Sequence, residues 1–427
     1  MSPFPKSSFL KNLPLLGRRG GVDAYAGSGL RPLVGPQMLR ELFRSRVLPE
    51  AASEGKMFLT KCAACAIELG TGGKECGRCQ TRYCGAACQV QHWEEGGHDQ
   101  LCKSIKRAGG AEQFYANTKY TEAVAVAAEA CADDTEGQTC YICLEDDSEE
   151  GLVRGCSCRG AAGVAHVSCL ARQAQVAAER TFDRWHTCGL CEQTYHGVVR
   201  CALGWACWKT YVGRPETDAA RQMAMTQLSN GLFYARHYED ALTVYEAELA
   251  MDRRLGADED RMLTAQGNLA SSYYHLGQLD EALRRRRDVY SGRLKLSGEE
   301  HEDTLRSACN YANSLDSLKR SGEAKSLFRK TIPVARRVLG ESNELTLLMR
   351  LSYADTLHED PGAWLDELRE AVTTLEDTAS TARRVLGGAH PLTKAIGKSL
   401  RGARAELRAY ETALAGRHEC RWRRGLV

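Results

Sequence analysis

Cys140-Tyr-Ile-Cys143, Cys156-Ser-Cys158, His166-Val-Ser-Cys169 and Cys188-Gly-Leu-Cys191 fall within 52 residues of a 427-residue chain. Thiolates and imidazoles spaced this way are metal knuckles: each pair grips an ion from one side, and two pairs close a tetrahedron around Zn²⁺. The gaps between these eight ligands are 2, 12, 1, 7, 2, 18 and 2 residues. A second ladder precedes them, Cys62-x2-Cys65-x10-Cys76-x2-Cys79-x4-Cys84-x3-Cys88-x9-His98-x3-Cys102. Its closing His-x3-Cys puts both ligands on one face of a short helix. His92 competes with His98 for that role, but His98 has the better spacing to Cys102. Sixteen ligands in two sets of eight predict four zinc ions.

The ladders hold 14 of the 19 cysteines. Clustered Cys-x-x-Cys pairs in a long chain without a secretory signal read as metal sites rather than disulfides, and they place the chain where thiols stay reduced, in cytoplasm or nucleus. The net charge of +2 and pI near 7.8 give no general attraction to nucleic acid or to an anionic membrane. No stretch approaches the roughly 18–20 consecutive apolar residues of a membrane span, so a soluble chain is expected. The sequence carries no phosphate loop, dinucleotide fingerprint or hydrolase nucleophile motif.

Residues 1–60 read as a disordered or targeting leader. They are Gly/Pro-rich, and through Lys61 there are ten Lys and Arg against four acids. Met57, just ahead of the first ladder, is an alternative start. Between the ladders, Ala111 to Ala130 suits one connecting helix, followed by an acidic linker, Asp133-Asp134-Thr135-Glu136-Gly137. Cys201, Cys207, Trp205 and Trp208 suit a buried helix packed behind the second ladder rather than a further metal site.

Beyond Tyr195 cysteine becomes sparse and the chain repeats itself. Gly256, Gly298 and Gly340 are 42 residues apart, as are Leu263, Leu305 and Leu347. Asn268-Leu-Ala270 recurs as Asn310-Tyr-Ala312 and again at Tyr353-Ala354. Glu281-Ala282 recurs at Glu323-Ala324. A period of this length is two helices plus turns, and such units must stack to bury their apolar faces. Small Ala at fixed positions lets helices approach, and Leu-Gly ends a helix where Gly tolerates a left-handed cap. The register slips by five at Gly387, with Asp360-Pro-Gly-Ala-Trp364 holding the insertion. About four units run from near Arg221 to near Ala405. The run Arg284 to Arg287 spans a full helical turn, which reads as solvated rather than as one basic face. Arg421, Arg423 and Arg424 read as a frayed basic end.

Three resemblances follow from these residues. Tyr83-Cys84-Gly-Ala-Ala-Cys88-Gln89-Val-Gln-His92-Trp93 resembles the MYND zinc finger, which implies interleaved pairing: Cys62, Cys65, Cys84 and Cys88 around one ion, and Cys76, Cys79, His98 and Cys102 around the other. It also implies recognition of short peptide motifs. The second ladder resembles the RING-CH domain of membrane-associated ubiquitin ligases. That implies a cross-brace, with Cys140, Cys143, His166 and Cys169 at one site and Cys156, Cys158, Cys188 and Cys191 at the other. The repeats, with Leu296-Ser-Gly-Glu-Glu-His301-Glu-Asp-Thr304-Leu305 and Leu386-Gly-Gly-Ala-His390-Pro391-Leu-Thr393, are similar to the tetratricopeptide array of kinesin light chains and imply a peptide-binding superhelix.

The expected architecture is multi-domain: two small zinc-stabilised α+β fingers followed by an all-α tetratricopeptide-like helical superhelix. The MYND-like finger takes 61–103, a helical linker 104–138, the RING-CH-like finger with a trailing helix 139–212, the repeats 213–410 and a basic tail 411–427. The RING-CH resemblance implies a ligase that holds a ubiquitin-conjugating enzyme and orients its thioester, with no nucleophile of its own. Ile142 matches the position that usually supplies a contact to that enzyme, and Leu170 and Trp185 are further candidates. Glu192 stands where many active RING domains carry a basic residue. The alternative is a zinc-finger and repeat scaffold that only binds peptide motifs of client proteins.

Overall fold

A computed structural model of the chain describes residues 62–65, 67, 69, 73–146, 150–388 and 390–424, with side chains described as far as residue 414. The expected leader, Met57 within it, and the side chains of Arg421, Arg423 and Arg424 lie outside the described residues. The described residues form two compact units, one ending at Ala257 and the other beginning at Asp258. Among the described residues, no helix is long and apolar enough to cross a membrane.

The first unit opens with the smallest of sheets, β1 (Lys74–Glu75) antiparallel to β2 (Arg82–Tyr83), then α1 (Ala86–Glu94) and α2 (His98–Arg107). A long helix follows, α3 (Ala111–Thr135), then α4 (Val167–Ala177), a 3-10 turn at Asp183–Trp185 and α5 (Gly197–Tyr211). The hairpin α6 (Ala219–Tyr234) and α7 (Tyr238–Leu255) completes it. The connecting helix runs past Ala130 through Asp133 and Asp134, which had the composition of a linker. Thr135 Oγ1 returns a hydrogen bond of 2.9 Å to Cys131 O, and the chain turns out at Gly137, φ +66.

That helix is shared. Its N-terminal end, Ala111 with Phe114 and Tyr115, packs into the core formed by Cys62, Cys76, Cys79, Tyr83, Cys102 and Ile105. Its C-terminal half, Val124, Ala127 and Cys131, belongs to the core of the second ladder with Val153, Val164, Leu170 and Leu203. A small zinc finger has too few apolar side chains to fill a core alone, and each borrows one end of α3.

Helix α5 is apolar on all sides and buried, Cys201, Trp205, Cys207 and Trp208 included. It meets α6 backbone to backbone. A Cβ on Gly204 would lie 2.9 Å from Gln227 O, and one on Gly231 would lie 2.9 Å from Arg200 O. Only two glycines facing each other allow that approach. Arg200 then lays its guanidinium over the Tyr234 ring, 3.9 Å from the centroid.

The second unit is a stack of helices: α8 (Glu259–His275), α9 (Leu279–Ser297), α10 (Glu302–Ser317), α11 (Ser321–Val338), α12 (Glu344–His358), α13 (Leu365–Leu386) and α14 (Pro391–Arg424). The 42-residue markers have physical duties. Leu263, Leu305 and Leu347 are buried, and Ala270, Ala312 and Ala354 are fully buried where neighbouring helices touch. Gly298, Gly340 and Gly387 all sit at positive φ after their helices; for Gly298 and Gly387 ψ is extended, a region essentially restricted to glycine, rather than the expected left-handed cap that Gly256 adopts.

The junctions between repeats are stitched alike. His301 Nδ1, Asn343 Oδ1 and His390 Nδ1 each accept the backbone N–H two residues on, at 3.2, 2.8 and 3.3 Å. Thr304, Thr346 and Thr393 each donate to a carbonyl eleven residues back, Arg293 O, Ala335 O and Ala382 O. The five-residue insertion is the loop between α12 and α13, held by Lys325 Nζ, which donates to Asp360 at 2.9 Å and to Glu367 at 2.8 Å.

Two sequence expectations are corrected here. The run Arg284 to Arg287 is not solvated throughout: Arg284 and Arg285 pair with Glu281 and Arg287 with Asp288, but Arg286 is buried. Its Nη1 donates to Asn310 O and to Ser314 Oγ, and its guanidinium lies 4.4 Å from the Tyr274 ring centroid. The basic tail is helical backbone to Arg424 rather than frayed, because residues 403–414 are almost all strong helix formers.

Candidate metal centres

Three of the Cys-x-x-Cys knuckles are built the same way. In each, the first cysteine's N–H donates to the carbonyl five residues on: Cys76 to Thr81, Cys140 to Glu145 and Cys188 to Gln193, at 2.8, 2.8 and 2.9 Å. The residue four on returns its N–H to the first cysteine's carbonyl, and it sits at positive φ: Gln80 at 61°, Leu144 at 66° and Glu192 at 57°. None of the three is glycine. The loop holds them there because it turns backbone N–H groups toward sulfur, as with Leu190 N to Cys188 Sγ at 3.4 Å.

These knuckles bring sixteen ligand atoms into four tetrads, within each of which the atoms lie no more than 4.8 Å apart. In the first finger the tetrads are Cys62, Cys65, Cys84 and Cys88, and Cys76, Cys79, His98 and Cys102. In the second they are Cys140, Cys143, His166 and Cys169, and Cys156, Cys158, Cys188 and Cys191. These are the interleaved and cross-braced sets that the resemblances imply. His98 and Cys102 are one turn apart on α2, and His98 Nε2 lies 3.4 Å from Cys79 Sγ. His92 is outside the cluster: its Nδ1 meets Tyr83 OH at 3.0 Å and its ring stacks on His98. It is a wall of the site.

The donor chemistry fits a divalent cation. Burial alone would raise the thiols of Cys62, Cys76, Cys140 and Cys188. The His98 ring at Cys76 and knuckle backbone N–H groups at all four outweigh it, bringing Cys62 and Cys76 to about 6 and Cys140 and Cys188 to about 7. Another thiol in each tetrad moves the opposite way. Hydrogen bonds to Cys84 and Cys65 lift Cys88 to about 12, and burial with neighbouring sulfur charge lifts Cys102 and Cys158 to about 11 and Cys169 to about 12. Three or four sulfurs this close shed all their protons only around a positive ion. Zn²⁺ with its tetrahedral preference for thiolate and imidazole matches all four sets.

Several supporting residues carried no signal in the sequence. Glu150 accepts from Ser168 N at 2.8 Å and so caps the start of α4, the turn that presents His166 and Cys169. Gly163, at φ +80, passes so close to the fourth tetrad that a Cβ there would stand 2.6 Å from Cys158 Cβ and 3.0 Å from Cys156 Sγ. Cys201 and Cys207 join no ligand cluster among the described residues. Asp355, His358 and Glu359 also converge. There, however, His358 spends both ring nitrogens on Asp355 and Ser399 and on Glu406, leaving no lone pair for an ion.

Of the three expected contact residues for a conjugating enzyme, only Ile142 is at the surface, 36% exposed. Leu170 and Trp185 are corrected to core residues, at 3% and 1%. Leu170 lies on the inward face of α4, and Trp185 is wedged between Phe182 and Tyr211 of α5. The trailing helix claims the tryptophan. Leu144 and Leu190, both in knuckle loops, are exposed instead, at 78% and 53%.

The MYND finger family matches residues 60–102, the RING-variant domain residues 140–191 and the tetratricopeptide repeat residues 261–337. The chain therefore carries a MYND finger, a RING-variant domain and tetratricopeptide repeats, with four Cys/His tetrads consistent with four zinc sites. Among solved structures, it is similar to BtubC (BKLC) from P. vanneervenii, with a TM-score of 0.36 and 14% identity over 58% of this chain and 90% of that one. It is similar also to nearly identical TPR-like repeats of Podosopora anserina, described as those of a kinesin light chain, with a TM-score of 0.35 and 17% identity over 51% of this chain and 95% of that one. No curated protein sequence matches the chain.

Proposed function

We propose that this chain is a RING-type ubiquitin ligase whose RING-variant domain recruits a ubiquitin-conjugating enzyme, and whose MYND finger (61–103) and repeats (213–410) select protein clients. The observation that carries the reading is Ile142, an apolar side chain exposed in the first knuckle of the RING-variant domain, with Leu144 and Leu190 exposed on knuckle loops of the same domain. Exposed apolar groups on a zinc-rigidified loop suit a partner's apolar groove. Such a ligase acts by holding a charged conjugating enzyme in an orientation that favours attack on its thioester, so its contribution is positional. The zinc ions are structural in this reading, and a cytoplasmic or nuclear location, where thiols stay reduced, belongs to the same proposal.

A second reading, a scaffold that binds peptides without transferring ubiquitin, is favoured by Glu192, an acid at the position where a basic residue would help hold the donor. One experiment separates them. Full-length protein is incubated with ubiquitin, activating enzyme and a panel of conjugating enzymes, and discharge of the thioester to free lysine is followed. Discharge that Ile142→Ala and Leu190→Ala abolish supports the ligase. Recovery of client partners with no discharge from any conjugating enzyme supports the scaffold and defeats the ligase.

A further inference from the structure

Between Lys119 and Lys295 the chain has one lysine, Lys209, against seventeen arginines, whereas the rest has fourteen lysines and twenty-five arginines. The RING-variant domain itself, 140–191, contains none. Bonding accounts for two of the domain's five arginines, Arg154, which donates to Gly160 O and Asp134 O, and Arg184, which donates to Cys188 O, but not for the other three. Arg159, Arg172 and Arg180 are exposed and pair with no acid among the described residues, so a lysine would serve as well for charge and solubility. The difference between the two side chains that matters here is chemical. A lysine amine can give up its proton and become a nucleophile, while a guanidinium stays protonated and delocalised.

The one lysine of the stretch is also engaged. Lys209 on α5 places Nζ 4.2 Å from the centroid of the Tyr120 ring on α3, a cation–π contact between the two helices that frame the RING-variant core. The other described amines of this unit belong to the first finger or the start of α3: Lys74 on β1, Lys103 and Lys106 on α2, and Lys119, all exposed. Lys119 is paired with Glu122 at 3.0 Å.

Resting on the ligase reading, we infer that the RING-variant platform is built to be refractory to ubiquitin, so that self-modification is displaced from it to amines outside the stretch. In the transfer, a deprotonated lysine nitrogen attacks the thioester carbonyl. The C–N bond forms as the C–S bond breaks, and the conjugating enzyme's cysteine leaves with the proton that the amine sheds. The acceptor most concentrated around a held thioester is the ligase's own nearby surface. An amine there would consume the donor before a client arrived, and would place a bulky adduct where the next charged enzyme must dock.

The test uses the full chain, and it compares wild type with Arg172→Lys and Arg180→Lys, which keep the charge at exposed positions. Thioester discharge to free lysine reports the ligase reading separately, and zinc content reports folding. Ubiquitin attachment sites are then mapped by mass spectrometry. The expected result is wild-type modification outside 120–294 with Lys209 bare, and occupancy at the introduced lysines about tenfold above that at Lys209. With discharge intact, modification of Lys209 as heavy as that of Lys103 and Lys106, or introduced lysines that stay bare, overturns the inference. Absence of discharge removes the ligase reading itself, and the inference falls with it.

Discussion

Arg221 of α6 and Glu112 of α3 form an ion pair of 2.9 Å across 109 residues of sequence, tying the first helical hairpin to the helix that the two fingers share. Arg221 also donates to Val212 O and Arg214 O and lies over the Trp208 ring. Burial lifts the Glu112 carboxyl above the usual range even with this cation beside it, so the site charges the acid at a cost that only the pair offsets. Arg221→Ala leaves that acid and two carbonyls without their donor, and should lower the stability of this unit by about 3 kcal/mol. Urea unfolding followed by tryptophan fluorescence, with Glu112→Gln and the double variant closing a cycle, measures it; a loss in the double variant equal to the sum of the singles would show no coupling.

Native mass spectrometry of the full chain should show four zinc ions. Cys76→Ser should lose one ion from the first finger and also speed chelator-driven release from the second, since α3 carries side chains of both cores. Release rates from the second finger that are identical in wild type and variant would separate the two folds energetically. A structural zinc site contributes on the order of 10 kcal/mol to so small a fold, so the effect is easily read.

Gly163→Ala should reduce the zinc content from four to three without touching a ligand. The added methyl meets Cys158 Cβ at 2.6 Å, and the φ of +80 disfavours any side chain. Gly160→Ala, also at positive φ but with nothing within 4 Å, is the control and should retain all four ions. Equal zinc content in the two variants would mean that the loop yields.

His358 makes the seating of α14 depend on pH. Burial alone would lower its pKa, but hydrogen bonds and charge from Asp355 and Glu406 raise it above 6.5. Glu359 stands by on its own helix and Ser399 Oγ lies 3.3 Å away on α14. A raised folded pKa means that the contribution is complete below the unfolded value and is lost as pH rises through the folded one. Hydrogen-exchange protection of α14 amides, corrected for intrinsic rates, should therefore fall as the pH rises above 6.5 and through the raised folded value. In His358→Gln the profile should be flat; an unchanged slope assigns the effect elsewhere.

Metal coordination makes itself legible in sequence because it demands chemistry and spacing together, and all sixteen ligands could be read from their intervals. The repeat could be read for a related reason. Gly298 and Thr304 serve one junction and recur at the next two, where the cap of His301 is taken by Asn343 and His390. What escaped reading depends on contacts distant in sequence. Trp185 resembles an exposed contact until Tyr211 arrives from α5 to bury it, and Arg286 resembles its solvated neighbours until α10 covers it. Helix α3 reads as a connector because nothing local says that its two ends complete different cores. Gly163 is one of 40 glycines, and only its distance from Cys156 sets it apart.

The shared helix also bears on how such a chain can be inherited. Two zinc fingers with separate cores could be shuffled apart, each moving to a new gene with its own peptide specificity. Here a recombination breakpoint before Phe114 would strip Phe114 and Tyr115 from under the first ladder, and one after Ala127 would strip Val124 and Ala127 from under the second. Only the short stretch between Tyr115 and Tyr120 could be cut without taking a core side chain from either finger. The hairpins after Asp258 share no such helix: each is closed by its own cap and threonine stitch, so a step of 42 residues, or 47 at the last, carries a whole junction with it.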